Sequence, residues 1–193
     1  VLVAPPATIT PLTQVRGTLV SASLKTIVDR GHGARYYAAL APELHETMRS
    51  IIAPSWVPEP VAMAHYLACE ALGLSAQESF AIGAEVGTSV RSTLLGTVAN
   101  VAREAGTTPW LYLERLPRLF TRVCIGGAVA LYKLGPKEAR LEWYGLRGLT
   151  VPYFRTAFRG AQQSIVELFC TKAYVSETRA LGGGEWACKA SWA

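Results

Sequence analysis

At 193 residues, half of them hydrophobic, the chain is long enough for one sizeable core and short for two. Its 19 Lys and Arg against 14 Asp and Glu leave a net charge of +5, yet charged residues make up only 17 % of the chain. So mild and spread an excess argues against a nucleic-acid binder, which concentrates its basic residues on one face. No apolar run approaches the roughly 20 residues that span a bilayer. Cys69, Cys124, Cys170 and Cys188 have no short spacing and fit free thiols, so the expected location is the cytoplasm.

The start, Val1-Leu2-Val3-Ala4-Pro5-Pro6, lacks the charged region of a signal peptide. With no initial Met, the native N-terminus is expected to lie upstream. Residues 1–13 are rich in Pro and Thr and read as an extended or poorly ordered lead-in; residues 14–193 read as a single α+β domain. Residues 17–28 read as a strand running into a helix, because Leu19, Ser21 and Ser23 do not alternate cleanly with Val20, Ala22 and Leu24. A short helix is expected over 34–40, and Pro42 followed by Glu43 opens a second one through Ile52. Ser55-Trp56-Val57-Pro58-Glu59-Pro60 breaks the pattern. The next helix starts at that proline, carries Met63, Tyr66, Leu67 and Ala71, and stops at Gly73.

Ser75 then forms a capping box with Glu78, since a serine oxygen takes the backbone N–H three residues on while the glutamate reaches back. The helix behind it, over about 76–104, carries Phe80, Gly83, Gly87, Val90, Leu94, Val98 and Val101 on one stripe. Two glycines there cost roughly 1 kcal/mol each against Ala, so something must approach the backbone. A neighbouring helix or sheet would do so, as would a ligand tail or a symmetry-related helix. Thr108 caps a helix that begins at Pro109 and runs through Val123, with Pro117 removing one hydrogen bond and kinking it. Arg115, Arg118 and Arg122 share one side of that helix, opposite Leu113, Leu116, Phe120 and Val123. They read as a solvated face or as a surface for an acidic partner or phosphate group.

In the last third the hydrophobic period changes three times. Residues 126–134 and 139–145 are apolar runs around Gly135-Pro136-Lys137-Glu138, and Ala139, Leu141 and Trp143 alternate with Arg140, Glu142 and Tyr144. A period of two is a half-buried strand, with Arg140 and Glu142 facing away from the core. Residues 151–170 switch to helical spacing, with Phe154, Phe158, Ala161, Ile165, Leu168 and Phe169 on one stripe. Alternation returns with Trp186, Cys188, Ala190 and Trp192, behind a strand at 174–178 and a flexible tip at Gly182-Gly183-Gly184. The fold class is therefore α+β: an antiparallel sheet of four strands or more, covered by helices, with a helical N-terminal part.

Chemistry-bearing motifs are few. His45-Glu46 opens like a zinc-protease helix, but Arg49 stands where the second histidine belongs. His65 and Cys69, four apart on a helix, make half a metal site that nothing at comparable spacing completes. Gly87-Thr88-Ser89-Val90-Arg91 lacks the final glycine of a nucleophile elbow. A thiol nucleophile beside one of three histidines is the remaining enzymatic reading, set against the commoner core cysteine. No metal site and no cofactor are expected.

Three segments carry a resemblance: the Ser55-Trp56-Val57-Pro58 break, Leu116-Pro117-Arg118-Leu119-Phe120 leading to Gly126-Gly127, and Pro152-Tyr153-Phe154-Arg155 followed by a chain end in Trp192. In that order they resemble, from about Val15 to Trp192, an uncharacterised family of about 200-residue proteins restricted to myxobacteria. Order and spacing carry the match, and the family brings no established activity. A further likeness extends to the NO-signalling and Golgi-transport ligand-binding fold, which includes vinyl-reductase-like sensor domains and subunits of vesicle-tethering complexes. Those proteins set helices against an antiparallel sheet and often dimerise, so the resemblance implies a possible homodimer. The cysteine-rich metal site of some of those sensors has no counterpart in this sequence.

The resulting expectation is a non-catalytic sensor or adaptor domain in bacterial signalling that holds a small hydrophobic ligand between its helices and its sheet. The pocket is expected between Phe80, Gly83, Gly87 and Val90 on one side and Tyr153, Phe154 and Phe158 on the other. The alternative is a protein-interaction module without ligand, docking a signalling partner through an aromatic patch or through Arg115, Arg118 and Arg122. A thiol-dependent enzyme is the third.

Overall fold

A computed structural model describes residues 1–94 and 108–193, without the side chains of 91–94. The last third folds as its periodicities require. Strands β4 (Ala128–Gly135), β5 (Glu138–Tyr144), β6 (Ala173–Thr178) and β7 (Trp186–Trp192) form an antiparallel sheet in the order β4-β5-β7-β6. The register pairs Leu131 with Leu141 and Leu141 with Cys188. One face of this sheet, with Val129, Leu131, Ala139, Leu141, Trp143, Cys188 and Ala190, belongs to a contiguous apolar core that also holds Val15, Ile27, Tyr36 and Met48 from the helical part.

The helical part comprises α1 (Gly17–Asp29), α2 (Gly33–Ala39), α3 (His45–Ser50) and α4 (Glu59–Glu70). The strand expected inside 17–28 lies ahead of it, as β1 (Gln14–Arg16), and residues 17–28 are helical throughout. The helix expected from Pro42 to Ile52 is a 3₁₀ turn, Pro42–Leu44, followed by α3. β1 pairs with β2 (Trp56–Pro58) and β3 (Cys124–Ile125) in a second sheet of order β2-β1-β3. Strands of two or three residues are too short for alternation to announce them. The extended lead-in is tied to the sheet edges: Leu131 O accepts from Leu2 N and Val3 N, and Gly145 O accepts from Leu12 N.

Helix α5 (Ala76–Leu94) begins at the capping box read from sequence, with Glu78 N donating to Ser75 Oγ at 3.2 Å and Ser75 N to Glu78 Oε2 at 3.0 Å. Its expected continuation to Glu104, with Val98 and Val101, lies outside the described residues. Helix α6 (Pro109–Phe120) starts where the sequence places it and contains Pro117. Thr108 precedes it in extended conformation, but its side chain makes no capping bond. Arg115, Arg118 and Arg122 are exposed. Helix α7 (Pro152–Val166) lies across α5.

That crossing explains the two glycines. A Cβ on Gly83 would stand 1.7 Å from Ala157 O, and one on Gly87 would stand 2.6 Å from Ala161 O. The contact is reciprocal, since a Cβ on Gly160 of α7 would stand 2.0 Å from Phe80 O. Two backbones therefore touch where a side chain would hold them apart. On a free helix, Gly→Ala would stabilise by about 1 kcal/mol; here the sign inverts. Gly83→Ala and Gly87→Leu are each expected to cost at least about 1–3 kcal/mol through overpacking. A melting temperature equal to or above wild type would show that the crossing is not a close contact.

The outer face of the sheet departs from expectation. Arg140 and Glu142 do point away from the main core, but Glu142 is fully buried. The link 179–185 between β6 and β7 folds over it, and Ala128, Ala130 and Tyr144 pack with Ile9 and Tyr132 into a second small cluster there.

Candidate functional site

Where α5, α6 and α7 meet α4 and the sheet, a cavity of about 160 Å³ remains. On the same measure, an apolar cavity of about 150 Å³ stays dry and binds benzene. The lining is overwhelmingly apolar and is organised by aromatic contacts. Tyr66 and Phe154 have ring centroids 4.3 Å apart, Phe154 stacks on Phe158 at 5.4 Å, Phe158 meets Trp143 edge-on at 4.7 Å, and Trp143 meets Phe120 at 5.5 Å. Edge-to-face and offset contacts of this kind fix ring orientations as well as burying area.

The structure brings six of the seven residues proposed from sequence to this cavity: Gly83, Gly87, Val90, Tyr153, Phe154 and Phe158. Phe80 is not among the lining residues; it is half-buried, and its backbone carbonyl faces Gly160. Gly83 and Gly87 border the cavity while their own Cα faces meet helix α7, so the glycine groove itself is filled by a helix rather than by a ligand. Sequence reading missed Glu59, Tyr66, Tyr112, Cys124 and Trp143, all of which line the cavity. They lie on different elements, and no local spacing connects them. Arg122 borders the cavity, whereas Arg115 and Arg118 do not.

Beside the cavity lies a buried polar chain. Tyr36 Oη is 2.9 Å from His65 Nδ1, and His65 Nε2 is 2.9 Å from Ser23 Oγ, with Ser23 itself a lining residue. Burial lowers the His65 pKa from 6.5 to about 4, so the imidazole is neutral, with one nitrogen donating and the other accepting. Cys69 Sγ sits 3.8 and 3.9 Å from its ring nitrogens, as the spacing of four implied. Yet the thiol is not activated: burial pushes its pKa up to about 12. Cys188 is likewise pushed up to about 12 by burial, Cys124 further, and Cys170 is raised by burial and then by Glu167. A nucleophilic cysteine needs a lowered pKa, and all four move the other way. Among the described residues, no group of three or more His, Cys, Asp or Glu is placed to hold a metal, and no helix is long and apolar enough to cross a membrane.

No protein-family model matches this chain, and no curated protein does. Solved structures do. A variant H-NOX protein from K. algicida in its unliganded Fe(II) state aligns with TM-score 0.63 and 7 % identity over 92 % of this chain and 96 % of that one. An oxygen-binding H-NOX domain related to soluble guanylate cyclases aligns with TM-score 0.60 and 13 % identity, over 92 % and 94 %. A variant of T. Tengcongensis H-NOX aligns with TM-score 0.59 and 14 % identity, over 92 % and 97 %. Heme distortion has been probed in that family, and the donors described above can be tested against such a group. Of the three histidines, none lines the cavity, and both nitrogens of the nearest, His65, are engaged by Tyr36 and Ser23. The lining thiol of Cys124 and the lining phenols of Tyr66, Tyr112 and Tyr153 are all raised by burial and so held protonated, which leaves Met63 and Glu59 as the lining donors, and a benzene-sized space is far smaller than a porphyrin. Residues 95–107 contain no His, Cys, Met or Tyr that would add an iron ligand. The lining does not suit heme, and what this chain shares with H-NOX domains is the fold.

Proposed function

We propose that this chain is a non-catalytic sensor domain that encloses a small apolar ligand in the cavity between α5, α6, α7 and the sheet. The observation that carries the reading is the cavity itself. It is apolar and walled by aromatic rings, and filling such a space recovers dispersion contacts and about 25 cal/mol for each Å² removed from water. The fold supports a ligand-holding role by analogy alone. Membership of the myxobacterial family belongs to the same proposal and rests on the order of the three motifs.

The protein is expected to carry a hydrophobe from its expression host, or to melt higher when one is supplied. A ligand at one hundred times its Kd adds about 2.7 kcal/mol. Native mass spectrometry and organic extraction check the first outcome, and a melting series with toluene the second. Ala62, buried and lining, offers a control: Ala62→Leu is expected to fill part of the space and abolish the ligand effect without lowering the melting temperature. Apo mass together with an unmoved melting point would sink the reading.

One observation favours a second role alongside the first. Helix α6 presents Tyr112, Leu116 and Phe120 to the cavity and Arg115 and Arg118 to solvent, and the exposed Arg122 follows in the turn just past its end rather than on the helix where the spacing places it. The arginines would dock an acidic signalling partner, with binding that weakens as salt rises. A pull-down unchanged when all three become Ser removes them from the functional reading.

A further inference from the structure

We propose that Gln163 and Glu167 guard the outer edge of β6 and keep a second copy of this chain from adding to the sheet there. β6 stands last in the order β4-β5-β7-β6, and its register sets Tyr174 against Ser191 and Val175 against Ala190 of β7. In an antiparallel ladder every second residue turns its N–H and C=O away from the neighbouring strand. On β6 those outward residues are Ala173, Val175 and Glu177, because the first two give their N–H groups to side chains and not to β7. Val175 N donates to Gln163 Oε1 at 3.1 Å, and Ala173 N donates to Glu167 Oε1 at 3.4 Å.

Both acceptors come from one place. Gln163 lies in the last turn of α7 and Glu167 follows directly after its end, four residues on and therefore on the same face. The Gln163 amide is held in the orientation that serves β6: its Nε2 donates to Glu167 Oε1 at 3.3 Å, which leaves the carbonyl oxygen for the Val175 N–H. Lys172 Nζ adds its charge 3.7 Å from the same carboxylate oxygen. Glu177, the third outward residue, carries a carboxylate 3.9 Å from Arg155 of α7.

An edge N–H bared to solvent would bond to water, so pairing alone does not call for two side chains. What they add is occupancy, since they take the donors that a further strand would use. The opposite edge is closed by main chain instead, with Leu131 N donating to Val3 O at 2.9 Å and Leu131 O accepting from Leu2 N and Val3 N. The strand to be kept off β6 is a second β6, because this edge matches itself. A two-fold axis at Val175 would set Val175 against Val175 and Ala173 against Glu177, outward residue against outward residue. With Tyr174, Val175 and Thr178 the strand favours a pleat, and once bared it is a template for such addition.

Amide exchange on the wild-type chain gives the first reading. Relative to their unstructured rates, Ala173 and Val175 should exchange about fivefold or more slower than Glu177, roughly what one hydrogen bond provides. Gln163→Ala combined with Glu167→Ala should erase that difference in dilute protein. As concentration rises, the double variant should form a dimer or larger species that the wild type does not, read by sedimentation velocity. Tyr174 is 58 % exposed on the same strand, and Tyr174→Lys in the double variant should restore the wild-type behaviour, since a charge on a bared edge opposes pairing. Wild-type amides at Ala173 and Val175 that exchange as fast as that of Glu177 would overturn the guard before any variant is made. A folded double variant that sediments like the wild type at every concentration, or whose association ignores Tyr174→Lys, would overturn it as well.

Discussion

Lowering the pH from about 7 to about 4.5 is expected to remove about 2–3 kcal/mol of stability, and the loss should trace to His65. The imidazole is completely buried, and both its nitrogens are committed to the Tyr36 and Ser23 hydroxyls. Those hydroxyls rotate to suit either neutral tautomer, so the neutral ring is fully satisfied. Charging it would place a cation in a site from which water is excluded, and burial accordingly lowers its pKa from 6.5 to about 4. The sign follows from linkage: the unfolded chain takes up the proton first, so this contribution is whole above about 6.5 and is lost as pH falls toward the folded value. A tenfold difference in proton affinity between the folded and unfolded ring is worth about 1.4 kcal/mol. Urea unfolding at stepped pH reads the effect, and His65→Gln should lower stability at neutral pH while flattening the profile over that window. A wild-type profile already flat between about pH 7 and 4.5 would mean that the ring is hydrated or paired differently.

Legibility in the sequence followed the length of the pattern. The four strands of the main sheet were readable to within a residue or two, β5 and β7 because alternating positions repeat the same message, β4 as an apolar run and β6 through the hairpin-length links that join the strands in pairs, and the capping box at Ser75 and Glu78 was readable because its chemistry is local. The small β2-β1-β3 sheet was not, since three residues such as Gln14-Val15-Arg16 contain a single inward position. Gly83 and Gly87 announced a close approach without naming its partner, which required Gly160 and Ala157 from a helix some 70 residues away. At the cavity, glycines and aromatics on periodic stripes were visible, but Glu59 was hidden in a proline-flanked helix start, where a carboxylate ordinarily serves the helix dipole. Period two places Glu142 on the outer face, and only the tertiary structure shows that this face has a lid.

That lid makes Glu142 the side chain whose removal should matter most. Its Oε1 accepts from Leu181 N at 2.8 Å and Gly182 N at 3.0 Å, and its Oε2 from Gly182 N at 2.8 Å and Gly184 N at 3.2 Å. Arg140 Nε lies 2.8 Å from Oε1, and Tyr144 Oη donates to Oε2 at 3.3 Å. Burial alone would raise this carboxyl, but the N–H groups of Leu181, Gly184 and Gly182 and the charge of Arg140 outweigh it and hold the pKa below the usual range. The triple glycine is therefore no free hairpin tip. Its backbone wraps the carboxylate so closely that a Cβ on Gly182 would stand 1.9 Å from Tyr132 Oη. Glu142→Ala leaves those N–H groups without their acceptor and Arg140 without its counter-charge, and is expected to cost about 3–5 kcal/mol. Glu142→Gln keeps the shape but turns an amide NH₂ toward groups that also donate, and should cost about 1–3 kcal/mol. Because the folded pKa is depressed, the carboxylate's contribution is present above the ordinary range of about 4.3 and is lost as pH falls through the folded value, a step more acidic than that of His65. Urea denaturation at neutral pH measures the cost, and amide exchange at Leu181, Gly182 and Gly184 shows whether the lid has opened. If Glu142→Ala unfolds at the wild-type urea concentration with those amides still protected, something other than the carboxylate holds residues 179–185 against the sheet.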